Sequence, residues 1–384
     1  MELNKKKTIL VLIDWYLPGR KAGGPVKSVE SLVWFMKDHF NFKILTTDTD
    51  LGEKEPYVNL EAEKWIKRED ESEVFYFKKN ELSKEKICDV INSTDHDILY
   101  LNSYYSKWFS IVPLQLKKKE KIKSSIILAP RGMLSEGALA LKKIKKKSFI
   151  HYSKFTGLHS GIIWHATYEN EVEEIKKTYG RKAEVKLCPN FSKPLPVPGA
   201  IRKKNKGELR LFFLSRVSRV KNLHIALQSL VELNSEGKII FDVFGSIEDE
   251  NYRNECNTII QRLPKNISVK FKGEVKNERV GEEVSTYHFL FLPTSNENFG
   301  HSIFEALQCG CPVIISNKTP WKDLEKLNCG WDVEPIPVNY LPILKKCMLM
   351  EDEEYQIMSS AALKLATEKL NASGQIDAAL ALFS

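Results

Sequence analysis

The stretch from Leu290 to Ser316, LFLPTSNENFGHSIFEALQCGCPVIIS, decides the fold class of this chain. An apolar run, LFLP, is followed by a polar turn containing Gly300, by the helical pattern HSIFEALQ, and by a second apolar run, PVIIS. Short apolar strands that alternate with helices are typical of a mostly parallel sheet with crossover helices. The stretch therefore predicts one strand–helix–strand step of an α/β domain.

The same alternation extends outward from this stretch. Candidate strands of the first half are TILVLID, FKILTTD, VFYFK, DILYLNS, SSIILAP and GIIWHAT. Those of the second half are LRLFFLSR, IIFDVFG, ISVKFKG, HFLFLPT and PVIIS. The pattern breaks at Leu187–Leu209, which holds four prolines, two glycines and a basic cluster. Such a segment is typical of a linker.

The sequence therefore predicts an α/β chain with two Rossmann-like, doubly wound domains that face each other across a cleft. The expected parts are an N-terminal domain over 1–190, a linker over 191–208, a C-terminal domain over 209–365, and a helical tail over 366–384 that packs back on the N-terminal domain. In sheets of this kind, ligands bind beyond the carboxyl ends of the strands, at helix N-termini.

Composition narrows the class of partner. The 384 residues carry a formal net charge of +8, which favours a nucleotide, phosphate, nucleic acid or acidic lipid surface. Seven scattered cysteines favour a reducing compartment, so we expect a cytoplasmic protein. The apolar run ILVLI is too short for a signal peptide, and no run approaches the roughly 20 residues of a membrane span. Nucleic acid is not expected, because no recognition motif appears.

Two carboxylates, Glu297 and Glu305, flank the predicted helix N-terminus of the opening stretch. The free N–H groups and positive dipole end of a helix suit a phosphate, and Gly300 allows close approach of the backbone. Carboxylates accept hydrogen bonds from vicinal hydroxyls, so a nucleotide sugar would explain two acids beside one anion site. The alternative is that Glu297 is a solvated loop residue and Glu305 a partner of the helix dipole.

Basic and glycine-rich loops supply further candidates. Arg216, Arg219 and Lys221 follow the strand LFFL, where they would suit a pyrophosphate, although basic loop residues are more often solvated. Gly23 and Gly24 precede Pro25 in a loop after the first strand, with backbone N–H groups that a ligand can approach. A plain flexible turn is the commoner meaning of such a pair.

Together these segments resemble the retaining glycosyltransferases of family 4, which have the GT-B fold. The matching segments are AGGP, SRVSRVKN and ENFGHSIFEALQCGCPVI, the last being close to the family's Glu-x7-Glu pattern. LAPRGMLSEGALALKKIKKK, HATYENE and CPNF are similar to its N-terminal domain. The resemblance runs from residue 8 to about residue 335.

The resemblance implies a role for each matching residue. Arg216 and Lys221 would hold the donor's diphosphate, Glu297 would contact hydroxyls of the transferred sugar, and Glu305 would bind the nucleotide ribose. Further donor contacts are implied for Gly23, Gly24, Gly273, Val275, Asn298, Phe299 and Gly300. Members of the family need no divalent metal, so no metal and no cofactor beyond the nucleoside diphosphate sugar are expected. Their mechanism is retaining and needs no dedicated base.

The chain departs from the family at APRGM, where many relatives carry a histidine and this sequence has Arg131. An arginine can bind a phosphate or an anionic acceptor but cannot act as a base at neutral pH. His165, at the end of the strand GIIWHA, is a second catalytic candidate. A hydrogen-bonded core histidine is its more common role.

A run of lysines suggests a membrane surface. Lys142, Lys143, Lys145, Lys146 and Lys147 lie beside apolar residues in LKKIKKKSFIHYSKF. On a helix they would rest on anionic lipid headgroups, each contributing about 1 kcal/mol. A solvated charged face is the alternative.

The resemblance, together with these residues, implies a metal-independent, retaining glycosyltransferase that moves a sugar from a UDP- or GDP-sugar to a glycan or lipid-linked acceptor. We expect it to act in bacterial capsule, O-antigen or lipopolysaccharide synthesis, on the cytoplasmic side of the membrane and peripherally attached to it. The alternative is a non-catalytic α/β protein that binds a nucleotide or anion. A dehydrogenase is disfavoured, because no G-x-G-x-x-G follows the first strand of either domain.

Overall fold

Two α/β units are formed by the residues that the computed structural model describes, 6–140, 143–195, 202–276, 279–370 and 374–384. The chain passes from the first unit to the second between Lys193 and Pro194, and its last segment, from Gly374 on, belongs to the first unit. The break lies inside the predicted linker, 191–208. Residues 196–201 of that linker and 371–373 of the predicted tail lie outside the described residues.

The first unit contains an eight-stranded sheet. Its strands are β1 Thr8–Ile13, β2 Asn41–Thr47, β3 Trp65–Lys67, β4 Glu73–Phe77, β5 Ile98–Asn102, β6 Ser125–Ala129, β7 Ile163–Ala166 and β8 Val185–Leu187. They lie in the order β3-β4-β2-β1-β5-β6-β7-β8, and every pairing except β3 with β4 is parallel.

The second unit contains a six-stranded sheet whose pairings are all parallel. Its strands are β9 Glu208–Leu214, β10 Lys238–Phe244, β11 Ile267–Gly273, β12 Phe289–Leu292, β13 Val313–Ser316 and β14 Gly330–Val333. They lie in the order β11-β10-β9-β12-β13-β14.

Helices connect the parallel strands in both units. Those of the first unit are α1 Gly24–Met36, α2 Lys84–Ser93, α3 Val112–Lys118, α4 Glu136–Ala140, α5 Lys143–Phe155 and α6 Glu169–Tyr179. Those of the second unit are α7 Leu223–Glu232, α8 Glu250–Ile260, α9 Val280–Val284, α10 His301–Gln308, α11 Pro337–Leu349 and α12 Asp352–Leu370. The last helix, α13 Gly374–Leu382, returns to the first unit.

Strand β1 shows why the sequence folds this way. All six of its residues are buried, because helices cover both faces of the sheet. Ile9, Val11 and Ile13 point to the apolar cluster that contains α1 and α13. Leu10 and Leu12 point to the cluster on the opposite face, as the two-residue repeat of a strand requires. The prediction of two α/β domains with parallel sheets is confirmed.

The C-terminal segment is anchored in the first unit by an aromatic side chain. Phe383 is fully buried, with its ring 5.4 Å from those of Phe40 and Tyr100. Lys186 Nζ donates to Ala381 O at 2.7 Å, which fixes the end of α13 beside β8. The segment thus completes the apolar layer on one face of the first sheet.

Candidate functional site

In the second unit, two loops meet at the carboxyl edge of the sheet because β12 pairs with β9. The loop after β9 ends in a 3-10 turn, Arg219–Lys221, and the loop after β12 runs to Gly300. Ser295 N donates to Val220 O at 2.8 Å, and Asn222 Nδ2 donates to Pro293 O at 2.9 Å. These hydrogen bonds join two loops that are about seventy residues apart in sequence.

The joined loops place Lys221 beside Glu297. Lys221 Nζ lies 2.5 Å from Glu297 Oε1, and each side chain is only 13% exposed. Glu297 N donates to Lys318 O at 3.2 Å, which fixes the loop from its other side. The interpretation of Glu297 as a solvated loop residue is therefore wrong. The edge of this sheet carries a shielded pair of opposite charges.

The two arginines of the same loop have other partners. Arg216 donates to Glu248 Oε2 at 2.7 Å, in a pair that is partly exposed. Arg219 pairs with Glu255, and its guanidinium lies 5.3 Å from the ring centre of Tyr252. The structure thus joins Lys221, but not Arg216, to Glu297. A diphosphate contact from Arg216 stays a prediction.

The turn before α10 depends on Gly300, which has a left-handed backbone (φ 80°). A Cβ at this position would lie 2.8 Å from Ile303 Cδ1, so a larger residue is disfavoured by both conformation and space. Trp321 Nε1 donates to Phe299 O at 2.6 Å and holds the backbone of the turn, which also includes Asn298. Trp321 was not expected from the sequence, since its loop, NKTPW, matches no motif.

The remaining donor-side candidates lie near the same edge. Glu305 is on α10 and only 3% exposed, so it is a much less accessible acceptor than Glu297. Gly273 ends β11 with a left-handed backbone (φ 74°), and its carbonyl accepts from Gly245 N at 2.8 Å. Val275 follows it and packs, partly buried, on the core of the second unit. Their roles as ribose and base contacts stay predictions.

In the first unit, the glycine pair marks the start of α1. Gly23 has a positive φ of 67°, and open space surrounds the position of its missing Cβ. Gly24 is the first residue of the helix. The N–H of Gly23 donates to Arg20 O at 2.9 Å, so this N–H is engaged within the chain. The expectation that both N–H groups are open to a ligand therefore does not hold for Gly23.

Arg131 and His165 lie in one hydrogen-bonded cluster at the carboxyl edge of the first sheet. Arg131 follows β6 and contacts Tyr100, Asn102 and Asn190. His165 is buried on β7, with one ring nitrogen bonded to Tyr100 and the other to Cys188 O. Because both nitrogens are engaged, His165 positions its neighbours in this structure. A direct catalytic contact from His165 stays a prediction.

An acidic residue that the sequence analysis missed, Asp14, follows β1 at the same edge. Ser106 Oγ donates to its Oδ1 at 2.7 Å, while the backbone oxygen of Asp14 accepts from Thr47 Oγ1 at 2.7 Å. Burial raises the pKa of the Asp14 carboxyl to about 6, against the lowering by the Ser106 hydrogen bond. The position of an acid directly after a parallel strand is the signal that would have indicated it.

Helix α5 exposes only part of the predicted lysine surface. Lys145 and Lys147 are exposed, whereas Lys146 turns inward, donates to Ala138 O at 2.5 Å and lies over the ring of Tyr105. Including Lys146 in an exposed surface was therefore wrong. Lys142 lies outside the described residues, and the structure does not describe the side chain of Lys143.

The same helix exposes an interrupted apolar stripe, because the exposed Ser148 and His151 lie on the same face as its apolar side chains. Ile144 is 85% and Phe155 92% exposed, and Tyr152 is half exposed. Their spacing of eight and three residues places them on one helix face. Lys145 lies on one side of this stripe and Lys147 and Lys154 on the other.

Neither a cluster of metal-binding side chains nor a membrane-spanning helix occurs in the described part of the chain. No group of three or more His, Cys, Asp or Glu side chains there is placed to hold a metal ion. Asp-x-Asp sequences occur at Asp48–Asp50 and Asp95–Asp97, but Asp48, Asp50 and Asp97 accept hydrogen bonds from backbone N–H groups. Metal independence stays a prediction. None of the described helices has the length and apolar character needed to cross a bilayer.

Comparison with known proteins defines the class. Residues 200–335, which include Lys221, Glu297 and Glu305, match the family described as "Glycosyl transferases group 1". The whole chain has the GT-B fold, seen in HepE from Anabaena solved with UDP and glucose (TM-score 0.69, 15% identity, 98% of this chain and 99% of that one). WaaG, a glycosyltransferase involved in lipopolysaccharide biosynthesis, is also similar (TM-score 0.62, 12% identity, 97% and 99%).

Among curated proteins, the chain is similar to alpha-1,3/1,6-mannosyltransferase ALG2 of Mus musculus. The two are 28% identical over 241 residues, which are 56% of this chain and 57% of the mouse protein. The match thus spans little more than half the length of that relative. Together the comparisons support a glycosyltransferase with the GT-B fold.

Proposed function

We propose that this protein is a retaining glycosyltransferase of family 4 that transfers a hexose from a nucleoside diphosphate sugar to a glycan or lipid-linked acceptor. The observation that carries the proposal is the shielded pair of Lys221 and Glu297 at the start of α10. The family match over residues 200–335 contains both residues and supports the same reaction class.

Each residue of this edge has a task that its chemistry suits. Lys221 would neutralise charge on the diphosphate, together with the N-terminal N–H groups of α10, because the β-phosphate gains negative charge as the bond to the sugar breaks. Glu297 would accept hydrogen bonds from the sugar hydroxyls. Glu305 would take the ribose, although side chains around it would have to move, since it is nearly buried.

Retention needs no protein base in this scheme. Glu297 already accepts from the Lys221 ammonium, which suits a charge partner and hydroxyl acceptor rather than a proton donor. The departing diphosphate can itself take the proton of the incoming hydroxyl. No metal ion is required by these tasks, because Lys221 and the helix N-terminus supply the positive charge.

For the sugar, we propose mannose or glucose. The relative ALG2 is named a mannosyltransferase, and the structurally similar HepE was solved with UDP and glucose. For the setting, we propose the assembly of a bacterial cell-surface polysaccharide, since WaaG, of the same fold, takes part in lipopolysaccharide biosynthesis.

Binding of nucleotide sugars tests the proposal directly. A donor at 100 times its Kd should stabilise the protein by about 2.7 kcal/mol, so thermal unfolding against UDP-glucose, GDP-mannose and related donors should single out one nucleotide. Lys221→Ala should abolish that shift, whereas Lys326→Ala, at an exposed pair with Asp323 in the same unit, should retain it. A wild-type protein that no nucleotide stabilises would contradict the proposal.

We further propose that α5 rests on an anionic lipid surface, as a peripheral attachment that brings the enzyme to a lipid-linked acceptor. The stripe of Ile144, Tyr152 and Phe155 would enter the headgroup region while the flanking lysines contact anionic lipids. An apolar stripe flanked by lysines is the pattern of an interfacial helix rather than of a solvated charged face.

Vesicle sedimentation tests this attachment. Wild-type protein should bind phosphatidylglycerol vesicles better than phosphatidylcholine vesicles, with binding weakened by salt. The double substitution Ile144→Ser and Phe155→Ser should lower vesicle affinity about tenfold. Val58→Ser, at another exposed apolar residue of the first unit, should not. Equal binding by all three proteins would exclude α5 as the contact.

A further inference from the structure

Arg131 is held in an unusual backbone conformation at the end of β6. Its φ is 56°, in the left-handed region that few arginines adopt. Gly132, the next residue, donates its N–H to Glu171 Oε1 at 2.6 Å. Glu171 is fully buried and also accepts from the N–H and Oγ1 of Thr167, both at 2.8 Å. A buried carboxylate thus fixes the turn that presents the Arg131 side chain.

The guanidinium of Arg131 is positioned by neutral oxygens. Its Nε and Nη2 donate to Asn102 Oδ1 at 3.2 and 2.6 Å, Nη1 donates to Asn190 Oδ1 at 2.5 Å, and Nη2 donates to Tyr100 Oη at 3.0 Å. Tyr100, Asn102 and Asn190 are all buried. These bonds use four of the five N–H groups of an arginine, and one N–H of Nη1 is left over.

His165 determines which way the Tyr100 hydroxyl points. His165 Nε2 lies 2.7 Å from Cys188 O, which can only accept, so this nitrogen carries a hydrogen. Burial, with a smaller effect of Arg131, lowers the pKa of His165 to about 3, so its ring is neutral and Nδ1 accepts from Tyr100 Oη at 2.7 Å. The lone pairs of Tyr100 are therefore left for Arg131. His165 is a positioning residue for the guanidinium.

No carboxylate lies within ion-pair distance of the Arg131 guanidinium among the residues that the structure describes. Glu171 attracts it from a distance but directs its oxygens to Gly132 and Thr167. A partly buried cation without a direct counter-charge is unfavourable by itself. Because Arg131 stands at the carboxyl edge of a parallel sheet, where α/β proteins bind ligands, an oxyanion of a ligand is the natural partner.

A second donor in the cluster is also unsatisfied. Asn102 is 1% exposed, and its Nδ2 has no hydrogen-bond partner, although its Oδ1 accepts twice from Arg131. Buried amide N–H groups are nearly always paired in native proteins. Asn102 thus directs its oxygen to the guanidinium while its own N–H groups stay unpaired, and the remaining N–H of Arg131 is left for an acceptor from a ligand.

We infer that Arg131 recognises a carboxylate or phosphate carried by one of the sugar substrates, an inference that rests on the proposed function. Arg131 is then a specificity-determining residue. An acceptor that carries the oxyanion leaves mannose or glucose as the transferred sugar, whereas an oxyanion on the donor makes the transferred sugar the corresponding uronic acid. The oxyanion belongs either to the transferred sugar or to the acceptor. In both cases an oxyanion contacts the guanidinium, and binding measurements show whether the transferred sugar or the acceptor carries it.

The experiment compares matched substrates by calorimetry. One arm uses UDP-glucose against UDP-glucuronate and GDP-mannose against GDP-mannuronate. The other arm uses octyl glucoside against octyl glucoside 6-phosphate, with the protein saturated by UDP or GDP. In one arm, wild-type protein should bind the anionic member about tenfold or more tightly than the neutral one, as charged hydrogen bonds allow. The arm that responds identifies the source of the oxyanion.

Variants of Arg131 show whether its side chain recognises the oxyanion or only stabilises the fold. Arg131→Gln should bring the ratio of the two affinities close to one, whereas Arg181→Gln, at an exposed arginine of the same unit, should keep it. If Arg131→Gln does not fold, Arg131→Lys is the alternative variant. It keeps the positive charge but loses the planar guanidinium that can donate two parallel hydrogen bonds, so it should lower the ratio of the two affinities several-fold. The inference is overturned if wild-type protein prefers neither member in both arms, or if the ratio survives in the Arg131 variant. If wild-type protein bound neither UDP nor GDP, that result would instead refute the proposed function.

Discussion

The two units present positive charge in opposite ways at their strand ends. In the second unit, Lys221 meets a carboxylate, Glu297, at 2.5 Å. In the first unit, Arg131 meets only the neutral oxygens of asparagine and tyrosine side chains. One charge is compensated within the protein, and the other is oriented without being compensated.

This difference indicates how each site would meet a ligand. An incoming diphosphate would have to share Lys221 with Glu297, and the hydroxyls of its sugar would give Glu297 new hydrogen-bond donors in exchange. Arg131 needs no such exchange, because its neutral partners can stay in place when an oxyanion arrives. The first arrangement suits a ligand with both negative charge and hydroxyls, whereas the second suits a single oxyanion.

The largest effect on stability is expected from breaking the compensated pair. Lys221→Ala leaves the shielded carboxylate of Glu297 without its counter-charge and should lower the free energy of unfolding by about 2–4 kcal/mol. Lys326→Ala removes one partner of an exposed pair and should change it by less than about 1 kcal/mol. Urea unfolding measures both.

A double-mutant cycle sharpens this prediction. Lys221→Ala combined with Glu297→Gln should be less destabilising than the sum of the two single changes, because no charge is left unpaired. Additive effects would show that the two charges do not depend on each other, and the comparison between the two units would fail.

A smaller loss is expected from the turn that supports Glu297. Gly300→Ala adds a Cβ to a left-handed residue and brings it to 2.8 Å from Ile303 Cδ1, so it should cost about 2–3 kcal/mol. Gly161→Ala introduces the same conformational strain (φ 68°) in open space and should cost about 1 kcal/mol. Thermal unfolding of the two variants gives the difference. Equal costs would mean that the turn before α10 is not tightly packed.

In the first unit, Tyr100→Phe removes the hydroxyl that links Arg131 to His165. The buried Nδ1 of His165 then lacks its donor, and the free energy of unfolding should fall by about 1–2 kcal/mol. Tyr152→Phe, at an exposed tyrosine of α5, should have almost no effect. Denaturant unfolding checks both. If the two substitutions behaved alike, the hydrogen-bonded chain from Cys188 to Arg131 would not contribute to the fold.

The last effect has the opposite sign: Asp14→Asn should gain stability, and the gain depends on pH. Burial raises the folded-state pKa of Asp14 from 3.8 to about 6. The folded protein therefore binds more protons than the unfolded chain between these values, so Asp14 lowers stability as pH rises through this window. Asp14→Asn should be more stable than wild-type protein by about 3 kcal/mol at pH 7.5, with the difference nearly vanishing near pH 3.5. Asp323→Asn, at an exposed site, should show no such trend. A stability difference between Asp14→Asn and wild-type protein that does not change with pH would contradict this prediction.

The long buried strands could be predicted from sequence, but the short edge strands could not. Strands such as β1 and β9 are apolar runs that are long enough to be recognised as strands. Strands β3, β8 and β14 have three or four residues and are partly exposed, so neither length nor periodicity identifies them. Their pairing is decided by the neighbouring strand, which a local pattern does not contain.

For the site, residue chemistry was more predictable than residue pairing. Lys221 and Glu297 were each expected to contact a ligand, but their mutual contact depends on the hydrogen bonds between Val220 and Ser295. Arg131 was expected to bind an anion, yet its fixed orientation depends on side chains from β5, β7 and the chain after β8. Such partners are brought together by the sheet, and no spacing in the sequence reveals them.

The most direct test of the central claim is turnover of the nucleotide sugar that binds best. We predict that wild-type protein releases the nucleoside diphosphate and forms a product with retained anomeric configuration, as NMR would show. Glu297→Gln and Lys221→Ala should each lower kcat/KM by about 100-fold or more, and Lys326→Ala should not. Unchanged turnover in the Glu297 and Lys221 variants, or binding without any turnover by wild-type protein, would contradict the assignment of a catalytic donor site to this pair.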